Sequence, residues 1–367
     1  MQLICDGLDL ADAVFKVSRA IPSKTTNPIL EGIKVVAEDD TLTLSATDLE
    51  LSIEKKIKAD VKVEGQAVVP GRFFSEFIKK LTNDKIELEL NDKKQLKIKY
   101  NGSKSYIQCF DSQEYPAFKK LETKDYFAIS KSNFKQLITK SIFAVAIDDS
   151  RPILKGVLVL SEDKKLTAVA LDGYRLAMVN QQLVESTVNV NAIVPSKSLA
   201  EIAKLLGDTD EIINVYVQKN YIMVDNGDTK ILSRLIEGEF LNYNQILATS
   251  FDTKIIINKA QFEDALERAS LLSKVGQNNL VKLTITNGNL CVTSNSELGN
   301  VTENVAITLE GKDIAIAFNA RYFTECFRAY NQDMLAINFN NPNNPCIITP
   351  VEGNEFLCLI LPVRVLT

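Results

Sequence analysis

The chain contains no histidine among its 367 residues. That absence removes the commonest general base, the serine–histidine nucleophile and most zinc sites together. Tryptophan is absent as well. The cysteines, Cys5, Cys109, Cys291, Cys326, Cys346 and Cys358, form no Cys-x-x-Cys pair. Most lie in apolar runs, which reads as buried reduced thiols of a cytoplasmic protein. No apolar run approaches the roughly 18 residues a membrane span needs, and the opening residues lack a basic-then-apolar signal, so neither membrane insertion nor secretion is expected. No GxxxxGK[ST] loop, GxGxxG, HExxH or GxSxG motif occurs. No cofactor, metal or catalytic residue is expected on those grounds.

What is present is a text repeated with a period of about 124 residues. Asn27-Pro28-Ile29-Leu30-Glu31-Gly32-Ile33 returns as Arg151-Pro152-Ile153-Leu154-Lys155-Gly156-Val157. Val68-Val69-Pro70-Gly71-Arg72-Phe73 returns as Ile193-Val194-Pro195-Ser196-Lys197-Ser198, and more loosely as Ala317-Phe318-Asn319-Ala320-Arg321-Tyr322. Each third is long enough to bury its own core. A hydrophobic content of 46% and a charged content of 24% are those of a globular chain.

Apolar residues at three- and four-residue steps predict a helix at the start of each third: Leu10, Ala11, Val14, Phe15, Ser18 and Ile21; then Phe134, Leu137, Ile138, Ile142 and Val145; then Phe262, Ala265, Leu266, Ala269 and Leu272. Strand-like runs follow, then a second helix over residues 73–81, 198–206 and 322–330, then further strands. Asn101-Gly102 and Asn226-Gly227 read as hairpin turns at matching places, with Glu352-Gly353 in the third copy. The expectation is an α+β chain of three similar domains, 1–122, 123–250 and 251–367, each with two helices packed on antiparallel sheet. The junctions are polar and contain no Gly/Ser linker, so rigid packing is expected.

The second helices share a charge pattern at i, i+4 and i+7: Arg72, Glu76 and Lys79; Lys197, Glu201 and Lys204; Arg321, Glu325 and Arg328. The first helices carry Lys16, Lys140 and Arg268 at equivalent places, with Arg19 and Lys24 following in the first copy and Lys274 in the last. Alternating charge on an outer face is how most surface helices look, each pair adding about 0.2–0.5 kcal/mol. Threefold recurrence of a cation in a chain of net charge −5 gives more weight to a local basic surface. Arranged about a common axis, these helices would meet phosphates without reading bases. Asp48 and Asp172 match across repeats and read as turn caps rather than as a catalytic pair.

Taken in order, Asn27-Pro28-Ile29-Leu30, Thr47-Asp48, Arg151 to Gly156, Asp172-Gly173-Tyr174-Arg175-Leu176-Ala177, Asn278 to Leu283 and Leu361-Pro362-Val363-Arg364 resemble the bacterial DNA polymerase III beta subunit family, the replicative sliding clamps. The stretches 23–30 and 268–273 look like its Gram-positive branch. The resemblance covers the whole chain. It implies the DNA clamp fold and a head-to-tail homodimer closed as a six-domain ring around double-stranded DNA, with the basic helices inward. It implies recruitment of replicative and repair polymerases and the clamp loader by a pocket between the second and third domains. Carried over by position, that pocket uses Leu154, Gly173, Tyr174, Arg175, Leu176, Ile246, Asn319, Tyr322, Leu359, Leu361, Pro362, Val363 and Arg364. The dimer interface would set Ile107 against Leu271 and Leu272 of the other chain.

This chain departs from the family where Tyr174 replaces a frequent His, Leu171 a Thr, Leu241 a Pro and Gln245 a basic residue, and Val365-Leu366-Thr367 follows the Pro-x-Arg motif. Two other readings stay open from the residues alone: a repeat scaffold that never meets DNA, and a hydrolase using a carboxylate pair.

Overall fold

The computed structural model describes residues 1–81, 85–148, 150–247, 250–273 and 279–364. Lys274, Asn278 and residues 365–367 lie outside that set. Six helices are described: α1 (Gly7–Ser18), α2 (Gly71–Ile78), α3 (Lys131–Thr139), α4 (Ser196–Leu205), α5 (Lys259–Ser273) and α6 (Ala320–Phe327). They open the two halves of each third, as the periodicity predicts. The apolar run after α3 does not continue the helix; Ile142–Ala144 form a separate 3₁₀ turn.

Local chemistry sets the helix starts. Asp6 caps α1, its carboxylate accepting from the amides of Leu8 (2.8 Å) and Asp9 (3.1 Å). Asn319 caps α6 through the Arg321 amide (3.0 Å). The repeated Pro-Ile-Leu-x-Gly motif is a 3₁₀ turn, Pro28–Glu31 and Pro152–Lys155, running into a strand. Its glycine is required in both copies by close approach. A Cβ on Gly32 would stand 2.4 Å from the Val68 side chain, and one on Gly156 would stand 2.5 Å from that of Ile193. The hairpin reading is right for Asn101-Gly102, a two-residue turn with both φ positive (43° and 74°). In the second copy Asn226 pairs with Thr229, so the turn residues there are Gly227-Asp228.

The chain divides into two compact units, and residues of the middle third contribute to both. One unit is built on a thirteen-stranded sheet and the other on a twelve-stranded sheet, among the described residues. Every strand pairing among the described residues is antiparallel. In the first unit, strand Leu51–Val63 accepts strand Thr229–Arg234, pairing Leu51 with Ser233 through to Lys55 with Thr229. In the second, strand Arg175–Gln182 accepts strand Phe356–Ile360, pairing Arg175 with Ile360 through to Val179 with Phe356. Allowing for the repeat, these are the same joint made twice.

Helix packing explains the apolar stripes. Leu10, Val14 and Val17 of α1 and Phe74 and Ile78 of α2 are fully buried, and the two helices pack on each other. In the second unit Phe262, Phe318, Phe323, Phe327 and Phe339 form a ring-on-ring cluster with centroids 5.1–6.4 Å apart. No described helix is long and apolar enough to cross a membrane.

Candidate functional site

The cations named from sequence are mostly at the surface, and most already hold an oxygen. Lys16 pairs with Asp12 (2.8 Å), Lys197 with Asp48 (3.0 Å) and Lys204 with Glu201 (2.7 Å). Arg321 pairs with Glu325 (2.5 Å), and Arg268 grips Glu303 with two nitrogens (2.9 and 2.8 Å). Arg72 donates to the carbonyls of Pro22 and Ser23. Exposed Lys24, Lys79 and Arg328 have no ion pair among the described residues. Lys140 is half-buried, and burial lowers its pKa, with Glu355 opposing.

Arg19 departs from the expectation. It is half-buried, lies over the Phe15 ring at 4.6 Å and donates to Glu201 (2.9 Å). It is part of the joint within the first unit rather than an outward cation. Glu201, read as the negative member of a solvent stripe, is drawn inward with it. Burial raises the affinity of Glu201 for a proton, but the bonds from Lys204 and Arg19 outweigh this and hold its carboxyl below the usual range. In the strand of the same joint, Lys55 is buried and bonded to Asp228.

The pocket residues divide into floor and wall. Leu154, Leu176 and Leu359 are closed inside an apolar cluster with Leu158, Leu171 and Ile347, each at most 5% exposed. Leu154 also lines the cavity beside Gly173 and Tyr174, and Leu176 and Leu359 stand opposite each other in the paired strands 175–182 and 356–360. Around that floor, Gly173, Tyr174, Ile246 and Arg364 are exposed, and Asn319, Tyr322, Leu361, Pro362 and Val363 are partly exposed. Tyr174 and Tyr322 stack with centroids 6.0 Å apart. A cavity of about 270 Å³ opens beside Gly173 and Tyr174, reaching Asp148 and Arg151. The C-terminal segment is laced to this wall: the Leu361 amide donates to the Tyr174 carbonyl and the Val363 amide to that of Ala317, both at 2.8 Å.

Arg175 holds the wall from inside. It is only 5% exposed and lies between the rings of Phe143 (5.4 Å) and Tyr322 (5.0 Å). Its guanidinium donates to Asp172 (3.1 Å), to the Phe143 carbonyl (2.7 Å) and to Glu325. Asp172 is the turn cap expected of it, accepting from the Tyr174 and Arg175 amides (2.9 and 3.1 Å), and its second oxygen takes the guanidinium. Burial raises the affinity of Glu325 for a proton, but Arg321 and Arg175 together keep its carboxyl below the usual range. Sequence reasoning missed Glu325 as a pocket residue, since its spacing in α6 matches an ordinary surface stripe and its partner lies 150 residues away.

At the expected dimer contact, Leu271 is 65% exposed and Leu272 half-buried. Ile107 is corrected: at 5% exposed it points into its own core, because inward residues alternate along strand Ser103–Gln108, and the exposed large apolar side chain there is Tyr106.

Family models of the DNA polymerase III beta subunit match this chain in order: the N-terminal domain over residues 1–119, the central domain over 128–242 and the C-terminal domain over 244–364. The beta sliding clamp of Staphylococcus epidermidis is 34% identical over 356 residues, covering 94% of each chain. Among solved structures, the DNA polymerase sliding clamp of Bacillus subtilis is 30% identical with a TM-score of 0.97, covering all of both chains. A putative DNA polymerase III beta subunit of Eubacterium rectale is 32% identical with a TM-score of 0.96, also covering all of both chains.

Proposed function

The chain belongs to the DNA polymerase III beta subunit family, and from that premise we propose that it is the processivity clamp of a replicative DNA polymerase. Its three domains, 1–122, 123–250 and 251–367, form a head-to-tail homodimer closed as a six-domain ring. The ring encircles and slides on double-stranded DNA in the cytoplasm, without catalysis and without a cofactor.

The observation that carries this reading is a joint made twice and left open once. The edge that strand Leu51–Val63 gives to strand 229–234, and strand Arg175–Gln182 to strand 356–360, has a third counterpart in strand Gly299–Gly311. Its residues 299–306 bond Asn289–Ser296 along one edge, and no described strand takes the other edge of residues 299–303. The third counterpart of the incoming strand is Ser103–Gln108, which ends its sheet and pairs only with Gln95–Tyr100 among the described residues. Open antiparallel edges invite pairing. The repeat gives the register: Gly299 of one copy opposite Ile107 of the next, and Glu303 opposite Ser103. Two such joints close a dimer. Exposed Leu271 and Leu298 supply apolar area nearby in the chain.

The cations suit sliding. Lys16, Lys197, Lys204, Arg268 and Arg321 surrender a carboxylate when they take a phosphate, so each of those contacts is close to an exchange of equals. Contact is sequence-independent, and enclosure keeps the ring on DNA. Polymerases, the clamp loader and repair proteins dock as apolar peptides on the wall made by Gly173, Tyr174, Ile246, Tyr322 and Leu361 to Arg364, where an apolar cleft carries a few polar anchors.

The test is topological. Clamp loaded on circular DNA should remain at salt that strips ordinary phosphate contacts and leave when the circle is cut. Solution mass should equal two chains and halve in Leu271→Asp. A monomer of native fold, or retention indifferent to cutting, overturns the reading and leaves a protein-only scaffold.

A further inference from the structure

We propose that Glu325 is a positioning residue for the peptide pocket, and that its second partner, Arg321, makes peptide affinity respond to phosphate on the helix face. The inference rests on the pocket and duplex assignments above. It concerns how the two sites communicate.

Four side chains connect them. Arg321 is exposed on α6 and bonds one Glu325 oxygen (2.5 Å), while the other oxygen takes buried Arg175. Arg175 bonds Asp172, and Asp172 fixes the amide of Tyr174, whose ring stacks on Tyr322 at the mouth of the wall. Every link is a direct hydrogen bond or ring contact.

The other joint supplies the control. The counterpart of Glu325 there is Glu201, but the counterpart of Arg175 is Leu51 and that of Tyr174 is Glu50. Glu201 is held by Arg19, which stands where the second joint has Phe143. Strands join at both places in the same register. A buried arginine is therefore not needed to make the joint. At the second joint, desolvating Arg175 is tolerated because Asp172, Glu325 and the Phe143 carbonyl surround it, and what it stands behind is the tyrosine wall.

Glu325 divides one charge between two cations. Arg321 can reach solvent and phosphate; Arg175 cannot. When a phosphate takes Arg321, the carboxylate leans on Arg175 alone. The wall is then held more firmly, and an incoming peptide has less ordering to do. Linkage makes the effect reciprocal. Its size follows from the pair that is exchanged: an exposed i,i+4 pair corresponds to about a twofold change in affinity.

The probe is a fluorescein-labelled clamp-binding peptide of a bacterial replicative polymerase, read by anisotropy on the full-length protein. Glu325→Gln should weaken it about tenfold or more, as loss of one partner of a buried charge does, while Glu201→Gln leaves it unchanged. Glu325→Asp, which keeps the charge, should recover part of the loss. Without DNA, Arg321→Ala should tighten the peptide about twofold, to the value of the unaltered clamp loaded on circular duplex, and should no longer respond to loading. Native affinity in Glu325→Gln, or equal affinities for Arg321→Ala and the unaltered chain, overturns the proposal. Should Glu325→Gln fail to fold, the Asp and Arg321 variants still decide. Failure of the unaltered chain to bind the peptide at all would instead remove the pocket assignment.

Discussion

The two joints, Leu51–Lys55 with Thr229–Ser233 and Arg175–Val179 with Phe356–Ile360, share a backbone and differ in the side chains set around it. Both begin with a capping aspartate, Asp48 or Asp172, and both place the next residue at positive φ. At the first joint that residue is Leu49 (φ 75°), at the second Gly173 (φ 92°). The first joint puts its arginine on a helix end and buries Lys55 against Asp228, while Lys197 meets Asp48 at the surface. The second buries its arginine behind two stacked tyrosines and leaves open space over the glycine. One repeat unit thus yields a plain structural joint and a pocket, and the difference lies in a few side chains rather than in the fold.

The comparison can be broken most forcefully at the arginines. Arg175→Ala strands Asp172 and Glu325 in a partly buried site and should destabilise the second unit by about 3–5 kcal/mol, abolishing peptide binding. Arg19→Ala, at the more exposed of the two arginines, should cost about 1 kcal/mol and leave peptide binding intact. Thermal unfolding and peptide anisotropy on the same samples check both; equal losses would show the joints to be equivalent.

A smaller effect lies in the turns. A leucine at positive φ costs about 1–2 kcal/mol, so Leu49→Gly should raise stability by up to about 1 kcal/mol after the entropy lost with glycine. Gly173→Leu should lower stability by about 1 kcal/mol and place a side chain where the pocket is open. Equilibrium denaturation of the pair measures the difference.

The smallest effect is in acid. The carboxyls of Glu201 and Glu325 are both held below the ordinary glutamate value of 4.5. A depressed carboxyl contributes stability above its unfolded value and loses it as pH falls through the folded value. Both joints should therefore be at full strength at neutral pH and weaken below about pH 4.5. In Glu325→Gln and Glu201→Gln the fall of the thermal midpoint between pH 5 and pH 3 should be shallower than in the unaltered chain. Parallel curves would mean that neither carboxylate supports its joint.

Much of this molecule is legible because it is local and repeated. The helix stripes, the Asp48 and Asp172 caps and the tight hairpin at Asn101-Gly102 follow from spacings of a few residues, and the cations at Lys197 and Arg321 recur in step with the helix period. The candidate site was legible only at its rim. Tyr174, Tyr322 and the segment from Leu361 follow from resemblance, whereas Leu154, Leu176 and Leu359 are buried in its apolar floor, and Ile107 faces inward by strand alternation that a one-residue shift would reverse.

The sequence by itself determined the threefold repeat, the order of helices and strands and the family, since periodicity and capping act over one turn or one strand. Only the tertiary structure decided which acid meets which cation, which leucines are covered and which sheet edges stay open. Arg175 and Glu325 are 150 residues apart, and no pattern along the chain encodes that meeting. It arises when paired strands exclude water from a guanidinium, which must then find its oxygens wherever the fold has brought them.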